Sequence, residues 1–289
     1  MSVSRNFQRA SSKMTVRILC LHGMGVNSNI FAAQTAYFRS ILPPTYEFLF
    51  LPATQDCDVA AGISDIYPGP YRCWYDTPTT SNVQKAQDTI LRYAKRAGPF
   101  DGVMGFSQGA ALAASIMLRQ ELAGEAPPFK FAILMGSALP FSESTEHGID
   151  LRVPFGSVVT RPTTSTHVPE HLRSGPTPGD SAASATVTEG FKARQAGAFY
   201  QMYHPSVDEV RIKIPTVHVI GAKDKWRLQS HDLVGLCAKE TAFVLEHPEG
   251  HEMPPRIMSE ELCDLIETVV ALSHAGAGAD GGVVEVGRL

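Results

Sequence analysis

Apolar runs of five or six residues recur along the chain, separated by stretches in which apolar positions return at helical spacing. Residues 16–21 (VRILCL) and 46–51 (YEFLFL) are nearly continuous apolar segments, as expected of strands buried on both faces of a parallel sheet. Between them, residues 30–41 carry a helical pattern that Pro43-Pro44 ends, so the chain opens strand, helix, strand. A helix over 83–97, stopped by Gly98-Pro99, leads into the run 102–106 (GVMGF), and an Ala-rich helix is expected over 110–122. Residues 131–135 (FAILM), 216–220 (TVHVI) and 242–245 (AFVL) supply three more strands, and 260–272 an amphipathic closing helix. Apolar strands alternating with helices need cover on both faces. The pattern predicts an α/β fold, a doubly wound, mostly parallel sheet in one domain spanning residues 14–273.

One region breaks this rhythm. Residues 141–199 are rich in Ser, Thr, Pro and Gly and are not expected to supply a core strand. Two readings stay open for so long an irregular stretch: a lid over a site, or an excursion with no role. Residues 1–13, basic and Ser-containing, and residues 274–289, rich in Gly and Ala, read as flexible tails. Met14, directly before the first strand, is an alternative start to Met1.

Composition narrows the function. With 44% hydrophobic and 19% charged residues among 289, the chain can bury a sizeable core. Its formal net charge of -4, from 25 Lys+Arg against 29 Asp+Glu, creates no field that would gather phosphates, so no nucleic-acid partner is expected. No uncharged apolar run approaches the roughly 18–20 residues that cross a bilayer, so no membrane span is expected and a soluble protein is. The five cysteines are odd in number and form no C-x-x-C pair. That argues against a disulfide framework or a structural zinc site and favours a reducing, cytoplasmic setting.

The strongest chemical signal is Gly105-Phe106-Ser107-Gln108-Gly109, a G-x-S-x-G string. Three fixed positions of such common residues recur by chance in about one chain in ten of this length, so the letters alone decide little. Their context decides more: a strand before and a helix after are what a nucleophile elbow requires, with Ser107 projecting above the sheet. A serine hydroxyl needs a base within hydrogen-bond reach. His251, in a loop just beyond the strand-like AFVL, is the best placed of the ten histidines. His218 falls inside a strand, His274 in the tail, His147, His167 and His171 in the irregular region, and His22 in the first turn, where a structural role is expected. Asp224, in the turn GAKDKW after the strand TVHVI, supplies the carboxylate that would fix the imidazole tautomer. The order Ser107, Asp224, His251 is that of α/β-hydrolases. For the oxyanion, backbone N–H groups are expected from Gln108 and from Met24, in the Gly-rich turn after the first strand.

Competing motifs fail on spacing. In residues 23–28, Ser28 stands where a dinucleotide fingerprint needs its last Gly or Ala. His251-Glu252 is followed by Met253, Pro254 and Pro255, not by the second histidine of a zinc protease. There is no P-loop, and neither a cofactor nor a metal is expected.

The segments LHGMG, GFSQGAALAA, GAKDKW and EGHEMP, in this order, resemble the fungal serine-hydrolase family of small α/β-hydrolases, over residues 16–272. The resemblance implies an α/β-hydrolase fold and a triad of Ser107, Asp224 and His251. It suggests kinship with thioesterases that release polyketide chains from the carrier domain of a fungal polyketide synthase. It also sets the aromatic stretch YPGPYRCWYD beside the family's own, with Trp74 and Tyr75 as candidates to line an acyl pocket or, equally, to pack a loop against the sheet. The irregular region looks longer than is usual in the family. Three functions follow: hydrolysis of an acyl thioester through an acyl-serine, the same chemistry on a small carboxylic ester, and a non-catalytic binding protein on a hydrolase fold.

Overall fold

The computed structural model describes residues 15–152, 169–173 and 199–277. The expected tail 1–13, most of the expected tail 274–289, and residues 153–168 and 174–198 of the irregular region lie outside them.

The apolar runs form the sheet. Strands β1 (Val16–Leu21), β2 (Tyr46–Leu51), β5 (Gly102–Phe106), β6 (Phe131–Met135), β10 (Thr216–Gly221) and β11 (Ala242–His247) make a six-stranded sheet in the order β11-β10-β6-β5-β1-β2. Every pair in it is parallel. The continuity of the apolar runs has a simple cause. Leu19 and Leu21 enter a core with helices α3 (Thr80–Ala97) and α4 (Gln108–Ala123), while Ile18 and Cys20 enter a second core with α1 (Ser28–Gln34), α2 (Ala36–Ile41) and the closing helix α7 (Ser259–Ala277). Both faces of the strand are therefore dry, and the sheet is the doubly wound core of an α/β-hydrolase.

Several expectations are adjusted. The predicted helix 30–41 divides at Thr35, whose hydroxyl donates to the Phe31 carbonyl while the Arg39 guanidinium takes that of Ala32; side chains that capture backbone carbonyls in this way weaken a helix locally. The closing helix runs through Ala277, past the expected start of the tail. The irregular region is not wholly apart from the core. Its short strands β7 (Phe141–Ser142) and β8 (Ile149–Asp150) pair with β9 (Gln201–Met202), and Ile149, Leu151 and Leu172, the last on α5 (Glu170–Arg173), are buried in the main core. Another short pair, β3 (Gln55–Asp56) with β4 (Arg72–Cys73), and helix α6 (Arg227–Gly235) were not legible in the pattern. Among the described residues no helix is long and apolar enough to cross a membrane.

Candidate active site

Ser107 joins β5 to α4 with φ 52° and ψ -119°, and among the described residues it is the one non-glycine with positive φ. Such a backbone costs about 1–3 kcal/mol and persists where the surroundings over-determine it. Here the Ser107 N–H donates to the Met135 carbonyl at 2.9 Å, and its own carbonyl receives the Ala111 N–H at 3.0 Å. Gly109 is required by crowding: a Cβ there would lie 2.1 Å from the Leu21 carbonyl oxygen, so no larger residue lets α4 sit so close to the end of β1.

Asp224 and His251 come from neighbouring strands. The turn after β10 and the loop after β11 are bonded to each other, Ala222 N–H to the His247 carbonyl at 2.8 Å and Lys223 N–H to the Glu249 carbonyl at 3.0 Å. Gly221 makes this approach achievable, since a Cβ there would lie 2.2 Å from the Gly250 oxygen. Asp224 is 6% exposed, which sets aside a solvated surface carboxylate. Its Oδ1 accepts the Trp226 N–H at 2.8 Å, and its Oδ2 lies 2.8 Å from His251 Nδ1. The other ring nitrogen, Nε2, is 2.9 Å from Ser107 Oγ. The ring lies against Phe106, centroids 4.9 Å apart. An acceptor-only carboxylate on Nδ1 selects the Nδ1–H tautomer and leaves the Nε2 lone pair facing the hydroxyl.

The turn after β1 closes on the same serine. A Cβ on Gly23 would stand 3.3 Å from Ser107 Cβ, so the backbone entering Met24 runs beside the hydroxyl. The N–H groups of Met24 and Gln108 have no acceptor among the described residues; for Gln108, first residue of α4, none exists within the helix. His22 is fully buried: Nδ1–H donates to the Gly23 carbonyl at 2.7 Å, and Nε2 accepts the Ala53 N–H at 3.1 Å. Burial lowers its pKa despite the opposing bond to Gly23, so a neutral ring holds the turn. His218, inside β10, is likewise structural, its pKa pushed down to about 3 by burial.

The side chain of Gln108 was missed in the sequence. Its Oε1 accepts the Trp74 N–H at 2.8 Å and its Nε2 donates to the Tyr75 carbonyl at 2.7 Å, while the Trp74 indole N–H donates to the His22 carbonyl at 2.9 Å. The aromatic segment is thereby tied to Gln108, one expected oxyanion donor, and to His22, two residues before the other, Met24. Tyr75 is packed in the main core at 5% exposure, which leaves half-buried Trp74 as the member of the pair beside the turn. No spacing rule could reveal this contact, because residues 74 and 108 meet only in the folded chain.

The model of the serine hydrolase family FSH1 matches residues 11–260. The chain belongs to this family. It is accordingly an α/β-hydrolase enzyme of the serine esterase type. It is 30% identical over 258 residues to "Esterase alnB" of Emericella nidulans, covering 82% of this chain and 90% of that protein. To "Esterase FPY3" of Fusarium mangiferae it is 29% identical over 257 residues, covering 88% and 95%. Among solved structures it is similar to Zea mays acyl-protein thioesterase 2, with 18% identity, a TM-score of 0.49 and coverage of 91% and 96%.

Proposed function

We propose that Ser107, His251 and Asp224 are the nucleophile, general base and orienting carboxylate of an acyl hydrolase. The observation that carries this reading is the unbroken chain of contacts from Ser107 Oγ to His251 Nε2 at 2.9 Å and from His251 Nδ1 to Asp224 Oδ2 at 2.8 Å. As Oγ attacks an acyl carbon, Nε2 takes its proton and the imidazolium formed is stabilised by the buried Asp224 carboxylate. The carbonyl oxygen becomes an oxyanion, received by the Gln108 and Met24 N–H groups, whose freedom from other acceptors supports that role. Collapse expels the leaving group with the proton from Nε2 and leaves an acyl-serine. Water then repeats the sequence, with His251 again as base, and frees the acid.

Gln108 acts here also as a positioning residue through its amide. Replacing it by alanine removes both bonds to residues 74–75 and is expected to lower kcat about 10- to 100-fold, as displacement of catalytic groups by about 1 Å does, while KM changes little. Steady-state kinetics on one chromogenic ester check this; a fall confined to KM would give the clamp to substrate binding instead.

For the substrate we take an acyl thioester on a carrier protein, such as a polyketide chain on the acyl carrier domain of its synthase, with Trp74 along the pocket. The support is the resemblance carried by residues 16–272. The second reading, a small carboxylic ester of secondary metabolism, is favoured by the names of the relatives, both esterases. The triad treats the two alike because both pass through the same tetrahedral intermediate. Matched thioesters and oxygen esters of equal chain length separate them: higher kcat/KM for the thioester across the series is expected, and consistent preference for the ester overturns the thioester reading.

A further inference from the structure

Away from Ser107, the described residues bring one other set of ligating side chains together: His171 on α5, His204 just after β9 and Asp232 on α6. Nε2 of His171 lies 2.7 Å, and Nε2 of His204 3.4 Å, from a single oxygen, Asp232 Oδ2; all three atoms fall within 4.8 Å of one another. His204 is 5% exposed, and its Nε2 is buried without a hydrogen bond. A buried ring nitrogen left unbonded is costly, and one aimed at a carboxylate and a second imidazole faces the groups that bind metals.

The surroundings are built to hold that nitrogen. The His204 backbone N–H donates to Asp208 Oδ2 at 2.8 Å, and Asp208 Oδ1 accepts the Gly148 N–H at 3.0 Å, so the loop is tied to the small sheet. His204 Nδ1 accepts the Ser206 N–H at 3.1 Å and lies 2.6 Å from Ser206 Oγ. Ligation through Nε2 shifts the ring proton to Nδ1, where the Ser206 hydroxyl accepts it in place of the backbone donor, the outer-shell arrangement of ligating histidines.

We propose that His171, His204 and Asp232 bind one divalent transition-metal ion, zinc foremost, with the remaining position left to water. Two imidazoles and a carboxylate are the nitrogen and oxygen ligands zinc accepts. Ligands about 2.0–2.1 Å from a tetrahedral zinc lie about 3.3 Å apart; His204 and Asp232 already have that spacing, and His171, partly exposed on a helix of four residues, need only swing outward. Bound there, the ion would cross-link α5 of the irregular region to α6, the helix that follows the Asp224 turn. The cysteine count, which argues against structural zinc, is silent on such a set, and positions 171, 204 and 232 follow no motif spacing.

The test uses the untagged full chain, stripped with chelator and titrated with zinc by calorimetry, and separately loaded with cobalt(II). We expect one ion per chain and the intense visible absorption of four-coordinate cobalt. Asp232→Asn and His171→Ala, each checked for folding by circular dichroism, should weaken zinc binding at least tenfold, the least that loss of a metal-site partner costs. His147→Ala, outside the cluster, should bind as the wild type does. No stoichiometric uptake by the wild type, or wild-type affinity in both Asp232→Asn and His171→Ala, would overturn the site; the wild-type arm does not depend on how the variants fold.

Discussion

Ser107→Ala is expected to lower kcat by roughly 10⁶-fold and to abolish covalent labelling by a fluorophosphonate probe. In the proposed mechanism the hydroxyl forms the bond to the acyl carbon, and nothing else at the elbow can replace it: the flanking positions are Phe106, packed on His251, and Gln108, whose amide is engaged with residues 74–75. The fold should survive, because alanine meets the same backbone at φ 52° that serine already occupies. Ser107→Gly separates function from strain. Glycine accepts positive φ without steric cost, so this variant should be as inactive as Ser107→Ala yet melt about 2 °C higher, the shift that about 1 kcal/mol produces in a protein of this size. Persistent labelling of Ser107→Ala would remove this serine from the chemistry and place the reactive nucleophile elsewhere.

Asp224→Asn should cost about 10⁴-fold in kcat, with little change in KM, and the structure supplies the reason. Oδ1 of Asp224 accepts the Trp226 N–H, a bond that an asparagine can keep only with its carbonyl oxygen on that side. Its amide NH2 is then turned toward His251 Nδ1, which must accept rather than donate. The proton moves to Nε2, the nitrogen that faces Ser107 Oγ, and the base becomes unable to receive the serine proton. Steady-state kinetics of the variant, with its melting temperature as a control for folding, check this directly. An unchanged rate would mean that His251 is oriented by another acid.

Legibility in the sequence followed the length scale of each interaction. The four inner strands of the central sheet were visible because a strand dry on both faces must be apolar at nearly every position; the edge strands β2 and β11, only partly buried, keep apolar runs as well, and each of the six runs lies in that sheet. The two-residue strands at 55–56, 72–73, 141–142, 149–150 and 201–202 have no period to detect. The 27 residues from Asp224 to His251 leave room for one helix, but the bounds of α6 could not be read because its nine residues mix polar and apolar positions without a clear stripe, though Gln229, Ser230 and Leu233 are buried. Tyr75 illustrates the limit differently: an aromatic next to a pocket candidate and an aromatic in the core read identically, and burial alone distinguishes them.

At the site the division is sharper. The elbow could be read from a string because its cause is local: a strained turn between strand and helix admits few residues, and Gly109 is demanded by the carbonyl of Leu21 beneath it. Asp224 and His251 could be nominated by strand ends and chain order, which are also properties of the chain as written. Their distances to Ser107, the two-ended grip of Gln108 on residues 74–75, and the convergence of His171, His204 and Asp232 could not. Side-chain hydrogen bonds and ligand sets act over about 3 Å between residues that may be any distance apart in the chain, and no periodicity records them. Sequence alone therefore determined which elements form and which chemistry the chain can present. Tertiary packing decided which atoms meet, because only the closed core brings separate loops within bonding range.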